Sequence, residues 1–156
     1  MRLAIDSCVL GIACHEQHKE HQALMAWLTA HMADPGSEVF LPSVSDYELR
    51  RELRLHVLRG KAGHAKGLGR LDSIGAATKF VTLTDAVLKR AADLWAQARK
   101  AGKPTADPKA LDADCMIAAQ ALNVGAAVVT DNAKHLSRYC MVINWRTTPP
   151  PTSATP

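Results

Sequence analysis

Five short apolar runs are spaced along the 156-residue chain, at residues 2–5, 38–42, 79–83, 126–130 and 141–143. Each is too short for a helix and apolar on both faces, as a strand is when helices cover both sides of its sheet. The intervening segments have a different period. Residues 18–32 place Leu24, Met25, Trp27, Leu28 and Met32 at helical spacing before Asp34-Pro35-Gly36-Ser37 stops them. A segment capped by Ser43 or Ser45 carries Tyr47, Leu49, Leu53, Val57 and Leu58 and ends at Gly60. Another, capped by Thr84 or Asp85 and reaching about residue 101, turns Val87, Leu88, Ala91, Leu94, Trp95 and Ala98 inward. Helices are also expected over 7–14, 62–75 and 111–122, the last closed by Asn123 and Gly125. Strands alternating with helices predict an α/β fold, a parallel sheet covered on both sides.

The chain is 47% hydrophobic and 22% charged, the balance of a soluble globular protein, and its 4% aromatic content makes the expected core aliphatic. No stretch approaches the roughly 18 uninterrupted apolar residues of a membrane helix. The opening residues lack a basic segment followed by a clean apolar run, so no signal peptide is expected. Cys8, Cys14, Cys115 and Cys140 form no CxxC pair, which suits reduced thiols and a cytoplasmic location. One domain is expected over residues 1–146. The remainder, 147–156, holds Pro149, Pro150, Pro151 and Pro156 and is expected to be a flexible or extended tail.

In parallel sheets, sites form at the carboxyl ends of strands. Asp6 directly follows the first run and Asp131 directly follows the fourth. Glu48 lies in the first turns of the helix after the second run, at the same edge. Asp112 and Asp114 open the helix before the fourth run, and a helix does not put two such positions on one face. Any one of these acids has a plain structural use: Asp6 as a helix cap, Asp112 and Asp114 as favourable charges at a helix start. Together in one cleft they would repel one another unless a cation neutralised them. All-oxygen donors suit Mg²⁺, or Mn²⁺, rather than zinc. Such an ion can lower the pKa of a bound water and stabilise charge on a phosphate oxygen, the chemistry of phosphodiester hydrolysis.

Four ordered motifs carry a resemblance. Leu3-Ala4-Ile5-Asp6-Ser7-Cys8-Val9-Leu10 resembles the first motif of PIN domains. Ser45-Asp46-Tyr47-Glu48-Leu49-Arg50-Arg51-Glu52-Leu53 resembles the second. Asp114-Cys115-Met116-Ile117-Ala118-Ala119-Gln120-Ala121-Leu122 resembles the third, and Val128-Val129-Thr130-Asp131-Asn132-Ala133-Lys134-His135-Leu136 the fourth. The resemblance implies a three-layer α/β/α PIN-like fold with a central parallel sheet of four or five strands. It implies Mg²⁺ or Mn²⁺ held by Asp6, Glu48, Asp114 and an acid of the fourth motif, taken as Asp131 because Asn132 is uncharged. Many PIN proteins of this size, the VapC type, are toxins that cleave RNA, form homodimers and are silenced by a cognate antitoxin. Ser7-Cys8 departs from the Thr-Asn common in the family.

Residues 50–70 hold Arg50, Arg51, Arg54, Arg59, Lys61, Lys66 and Arg70 against Glu52 alone, a local excess above the +4 of the whole chain. Arg50, Arg51 and Arg54, with Lys134 beside the fourth motif, are candidates to meet an RNA backbone. A solvated helix face and a clasp for an acidic partner are the alternatives. The expected function is a metal-dependent endoribonuclease of a toxin–antitoxin pair. The alternative is a PIN-fold module that binds RNA or protein without cutting, and Cys8, where a DxD phosphatase needs an acid, opposes a phosphatase.

Overall fold

The computed structural model describes residues 1–103, 107 and 111–151. The expected polar loop at 102–109 and the tail at 147–156 therefore lie partly outside the described residues. The chain runs β1 (Arg2–Ile5), α1 (Ser7–Cys14), α2 (His21–Ala33), β2 (Glu38–Pro42), α3 (Ser43–Leu58), α4 (Gly63–Ala77), β3 (Lys79–Val81), α5 (Asp85–Lys100), α6 (Ala113–Asn123), β4 (Ala127–Val129), α7 (Ala133–Leu136) and β5 (Val142–Ile143). All the strands are parallel, in the order β3-β2-β1-β4-β5. The α/β expectation holds, at the upper of the two strand numbers.

Strand alternation divides the core between two faces. Leu3, Ile5, Val39, Leu41 and Val129 pack on one side with residues of α1, α2 and α4. Ala4, Phe40, Val81 and Val128 pack on the other with Ile117, Ala118 and Ala121 of α6 and Leu136 of α7. Full burial of each large aliphatic side chain, such as Leu3, Leu41 or Leu71, contributes about 1.5–3 kcal/mol.

Several boundaries differ from the sequence reading. The helix expected from residue 18 begins at His21, because His15 to Glu20 form turns, with His18 N–H on the His15 carbonyl. The third strand ends at Val81. The cap expected from Ser43 or Ser45 is supplied otherwise. Pro42 occupies the cap position without a side-chain bond, Ser43 is already helical, and Ser45 is fully buried. Val44 N–H instead donates to Gln120 Oε1, 3.3 Å away on α6. Gln120 Nε2 donates to Ser43 Oγ at 2.9 Å and to the Val81 carbonyl. One buried amide thus ties α6 to the carboxyl ends of β2 and β3. Thr84 caps α5 as expected, accepting from Val87 N–H at 3.3 Å. Gly125, at φ 63°, makes the left-handed turn between α6 and β4 that a side chain would oppose. The start of the expected tail is docked: Trp27 Nε1 donates to the Thr148 carbonyl at 2.8 Å, just beyond the buried Trp145 that ends the domain side.

Candidate active site

From β1 the chain moves out to β2 and β3 on one side, then returns to β4 and β5 on the other. The direction reverses between β1 and β4, and in open parallel sheets ligands bind at the carboxyl ends beside such a reversal. Asp6 N–H extends the ladder there, donating to the Val129 carbonyl at 3.1 Å.

The Asp6 carboxylate is 4% exposed and engaged at both oxygens. Oδ1 accepts from Ser7 N–H at 2.7 Å, so Asp6 does cap α1. Oδ2 accepts from the Thr130 hydroxyl at 2.6 Å and from the Cys8 thiol at 3.0 Å. Thr130 Oγ1 in turn accepts from Asn132 N–H at 2.8 Å, and Cys8 Sγ from Asp131 N–H at 3.4 Å. The first and fourth motifs are thereby stitched together around one carboxylate, with the Thr130 and Cys8 donors each held by a partner of its own. Burial, then the charge and hydrogen bond of Asp6, push the Cys8 thiol up to about 11, so it stays protonated and donates.

Asp112 caps α6, its Oδ1 accepting from Cys115 N–H at 3.2 Å, a tighter structural use than the charge at a helix start expected for it. Asp114 lies in the next half-turn with a side chain 22% exposed. Its carboxyl is raised above the usual range by burial first, then by the charges of Asp112 and Asp6; His135, 3.5 Å from Oδ2, opposes this and Glu48 adds to it. Glu48 is half-buried in α3, 3.9 Å from Arg51. Asp6, Glu48 and Asp114 are therefore brought into one electrostatic neighbourhood, from a strand end and two helices.

Asp131 is placed differently. Its carboxylate is gripped by Arg146, which follows β5, with Nη2 3.1 Å from Oδ2 and Nη1 on Oδ1. The same guanidinium forks onto Glu20, at the start of α2, through Nε at 2.6 Å and Nη2 at 2.7 Å. Trp145 lies under it, 4.6 Å from ring centre to Cζ. Neither Arg146 nor Glu20 carries a sequence signal, since their meeting depends on how β5 and α2 pack.

The basic segment is only partly free. Arg50 is held by Asp46, at 2.8 Å, and by Asp72, at 2.8 Å; Arg70 is held by Glu16 and the Cys14 carbonyl. Arg51 lies over the Tyr47 ring and, like Arg54 and Lys134, is exposed.

Hard oxygen donors under mutual repulsion suit a hard divalent ion. Among the described residues, no three His, Cys, Asp or Glu side chains stand close enough together to hold one as they are. The donor chemistry fits such an ion, and an ion would have to draw the carboxylates inward.

Solved structures with the same fold include VapBC2 from Rickettsia felis bound to a promoter DNA fragment, at 16% identity and TM-score 0.69, covering 93% of this chain and 99% of that one. FitAcB from Neisseria gonorrhoeae matches at 23% identity and TM-score 0.72, over 94% and 99%. VapBC-1 from nontypeable Haemophilus influenzae matches at 14% identity and TM-score 0.68, over 94% and 100%. No curated protein sequence matches. The PIN domain family matches residues 3–140, nearly the whole described chain, and the protein belongs to that family.

Proposed function

We propose that this PIN domain is a Mg²⁺-dependent endoribonuclease, able to use Mn²⁺, and the toxin of a toxin–antitoxin pair. The observation that carries the reading is the Asp114 carboxyl at the start of α6, raised by burial and then by the charges of Asp112, Asp6 and Glu48, beside an Asp6 carboxylate fixed by Thr130 and Cys8. A bound divalent ion would supply Lewis-acid stabilisation of the phosphate and a more acidic water. The chain's own residues do the rest. Asp6, Glu48 and Asp114 would hold the ion; Asp131, the fourth acid of the motifs, has its carboxylate on Arg146. Thr130 and Cys8 fix the direction of Asp6, and Arg51, Arg54 and Lys134 meet the RNA backbone; Arg50 contributes only after leaving its two acids. The VapBC and FitAcB likenesses support a small antitoxin as the partner. Homodimer formation and a cytoplasmic location belong to the same reading.

The test is cleavage of a mixed RNA pool by the purified protein with Mg²⁺, with Mn²⁺ and with chelator. Metal-dependent cleavage that disappears in Asp6→Asn, with the circular dichroism spectrum unchanged, is the expected result. Binding without cleavage at any ion concentration would make the chain a binding module instead.

A further inference from the structure

We propose that Arg146 is a latch that withholds Asp131 from the cation cleft, so that three acids bind the ion and the fourth joins only when the guanidinium lets go. The inference rests on the proposed cation site and specifies how that site is regulated. Both Asp131 oxygens face Arg146, which is itself locked onto Glu20 by two further bonds of 2.6 and 2.7 Å. Paired forks of this kind fix geometry as well as charge. Arg146 and Asp131 lie at the surface and Glu20 is partly exposed, with side chains 34%, 29% and 28% accessible, so the network is held by its four bonds and not by burial. The indole of Trp145 backs the guanidinium, and Trp145 is itself buried. The Asp131 backbone, by contrast, already belongs to the cleft: its N–H donates to Cys8 Sγ, which donates to Asp6. On this account the Asp131 side chain alone would turn, from Arg146 toward Asp6. Arg146 is on this account a positioning residue, acting through Asp131.

The experiment is Mn²⁺ binding followed by electron paramagnetic resonance on the full chain. Arg146→Gln is expected to bind Mn²⁺ about tenfold more tightly, since an added carboxylate ligand raises the affinity of an oxygen site. Removing a positive charge also attracts cations at a distance, and two charge-matched double variants separate the causes. Arg146→Gln with Glu20→Gln keeps Asp131 and should keep the gain. Arg146→Gln with Asp131→Asn should return to the wild-type affinity. If Arg146→Gln misfolds, Arg146→Lys, which keeps the charge but loses the fork, should show a smaller gain in the same direction. Equal affinities in the two double variants, or no gain in either single variant, overturn the latch. Wild-type protein that binds no Mn²⁺, or binds it undiminished in Asp6→Asn, overturns the cation site itself and the latch with it.

Discussion

Thr130 Oγ1 donates a 2.6 Å hydrogen bond to Asp6 Oδ2 across 124 residues of sequence, in a position where neither side chain is more than 4% exposed. Thr130→Val removes the donor and leaves a buried carboxylate oxygen with the weaker thiol bond alone. Chemical denaturation should show a loss of about 1–3 kcal/mol, the usual cost of an orphaned buried polar group. Thr130→Ser keeps the hydroxyl and should lose less than half of that. A larger loss in Thr130→Ser, which lacks the methyl group, than in Thr130→Val, which keeps it, would assign the effect to packing and not to the bond.

Gln120 acts as a remote helix cap. Because Pro42 cannot cap α3, the Val44 N–H depends on an acceptor 76 residues away, and the same amide holds Ser43 and Val81. Gln120→Leu fills similar space but leaves buried groups at the ends of β2 and β3 without partners. We expect a loss of about 2–4 kcal/mol in urea unfolding, the sum of a cap and an unsatisfied buried carbonyl. A loss below about 0.5 kcal/mol, the scale of a neutral surface change, would show that the amide is dispensable.

His31 should make stability fall on mild acidification. It is 2% exposed, its ring lies 4.2 Å from that of Trp27, and Nδ1 faces Ser37 Oγ at 3.3 Å. Burial lowers its pKa, with Asp34 opposing. The folded chain therefore binds this proton less readily than the unfolded chain, where the value is about 6.5. The His31 contribution is fully present above that pH and declines as pH falls through the window below it. Urea midpoints at pH 7.5 and 5.5 should differ in the wild type and differ less in His31→Leu. An unchanged difference in the variant would place the pH sensitivity elsewhere.

The parts of this molecule that were legible in the sequence are those set by local pattern. The apolar runs became strands, Thr84 became a cap, and Asp6 and Glu48 follow β1 and β2 as parallel strand and helix geometry requires, whereas the start of α6, with Asp114, is permitted at that edge by the sequence but not fixed there. What stayed hidden depends on contacts between distant elements. Ser43 and Ser45 have the chemistry of a cap, yet the cap comes from α6. Arg50 and Arg70 look like free cations until Asp72 and Glu16 fold against them. The single turn of α7 is too short to carry a period. Arg146 has no motif around it, and its grip on Asp131 appears only once β5 lies beside β4.

Asp114 illustrates the cost of gathering acids, and it yields a prediction in which stability and function move in opposite directions. Its carboxyl is raised by burial and by Asp112, Asp6 and Glu48, so at neutral pH the folded chain holds a charge that the unfolded chain accommodates more easily. For an acid with a raised folded-state pKa, stability is gained as pH falls through the window between the unfolded and folded values, and the penalty is complete above it. Asp114→Asn removes that charge while keeping the shape, so its melting temperature at pH 7 in chelator should exceed that of the wild type. Saturating Mg²⁺ binds only the folded form and should raise the wild-type melting temperature. The variant should respond weakly, so that the gap narrows or reverses as the ion is added. If Asp114→Asn were less stable than the wild type in chelator, and responded equally to Mg²⁺, the carboxylate would be a structural hydrogen-bonding group with no part in holding a cation.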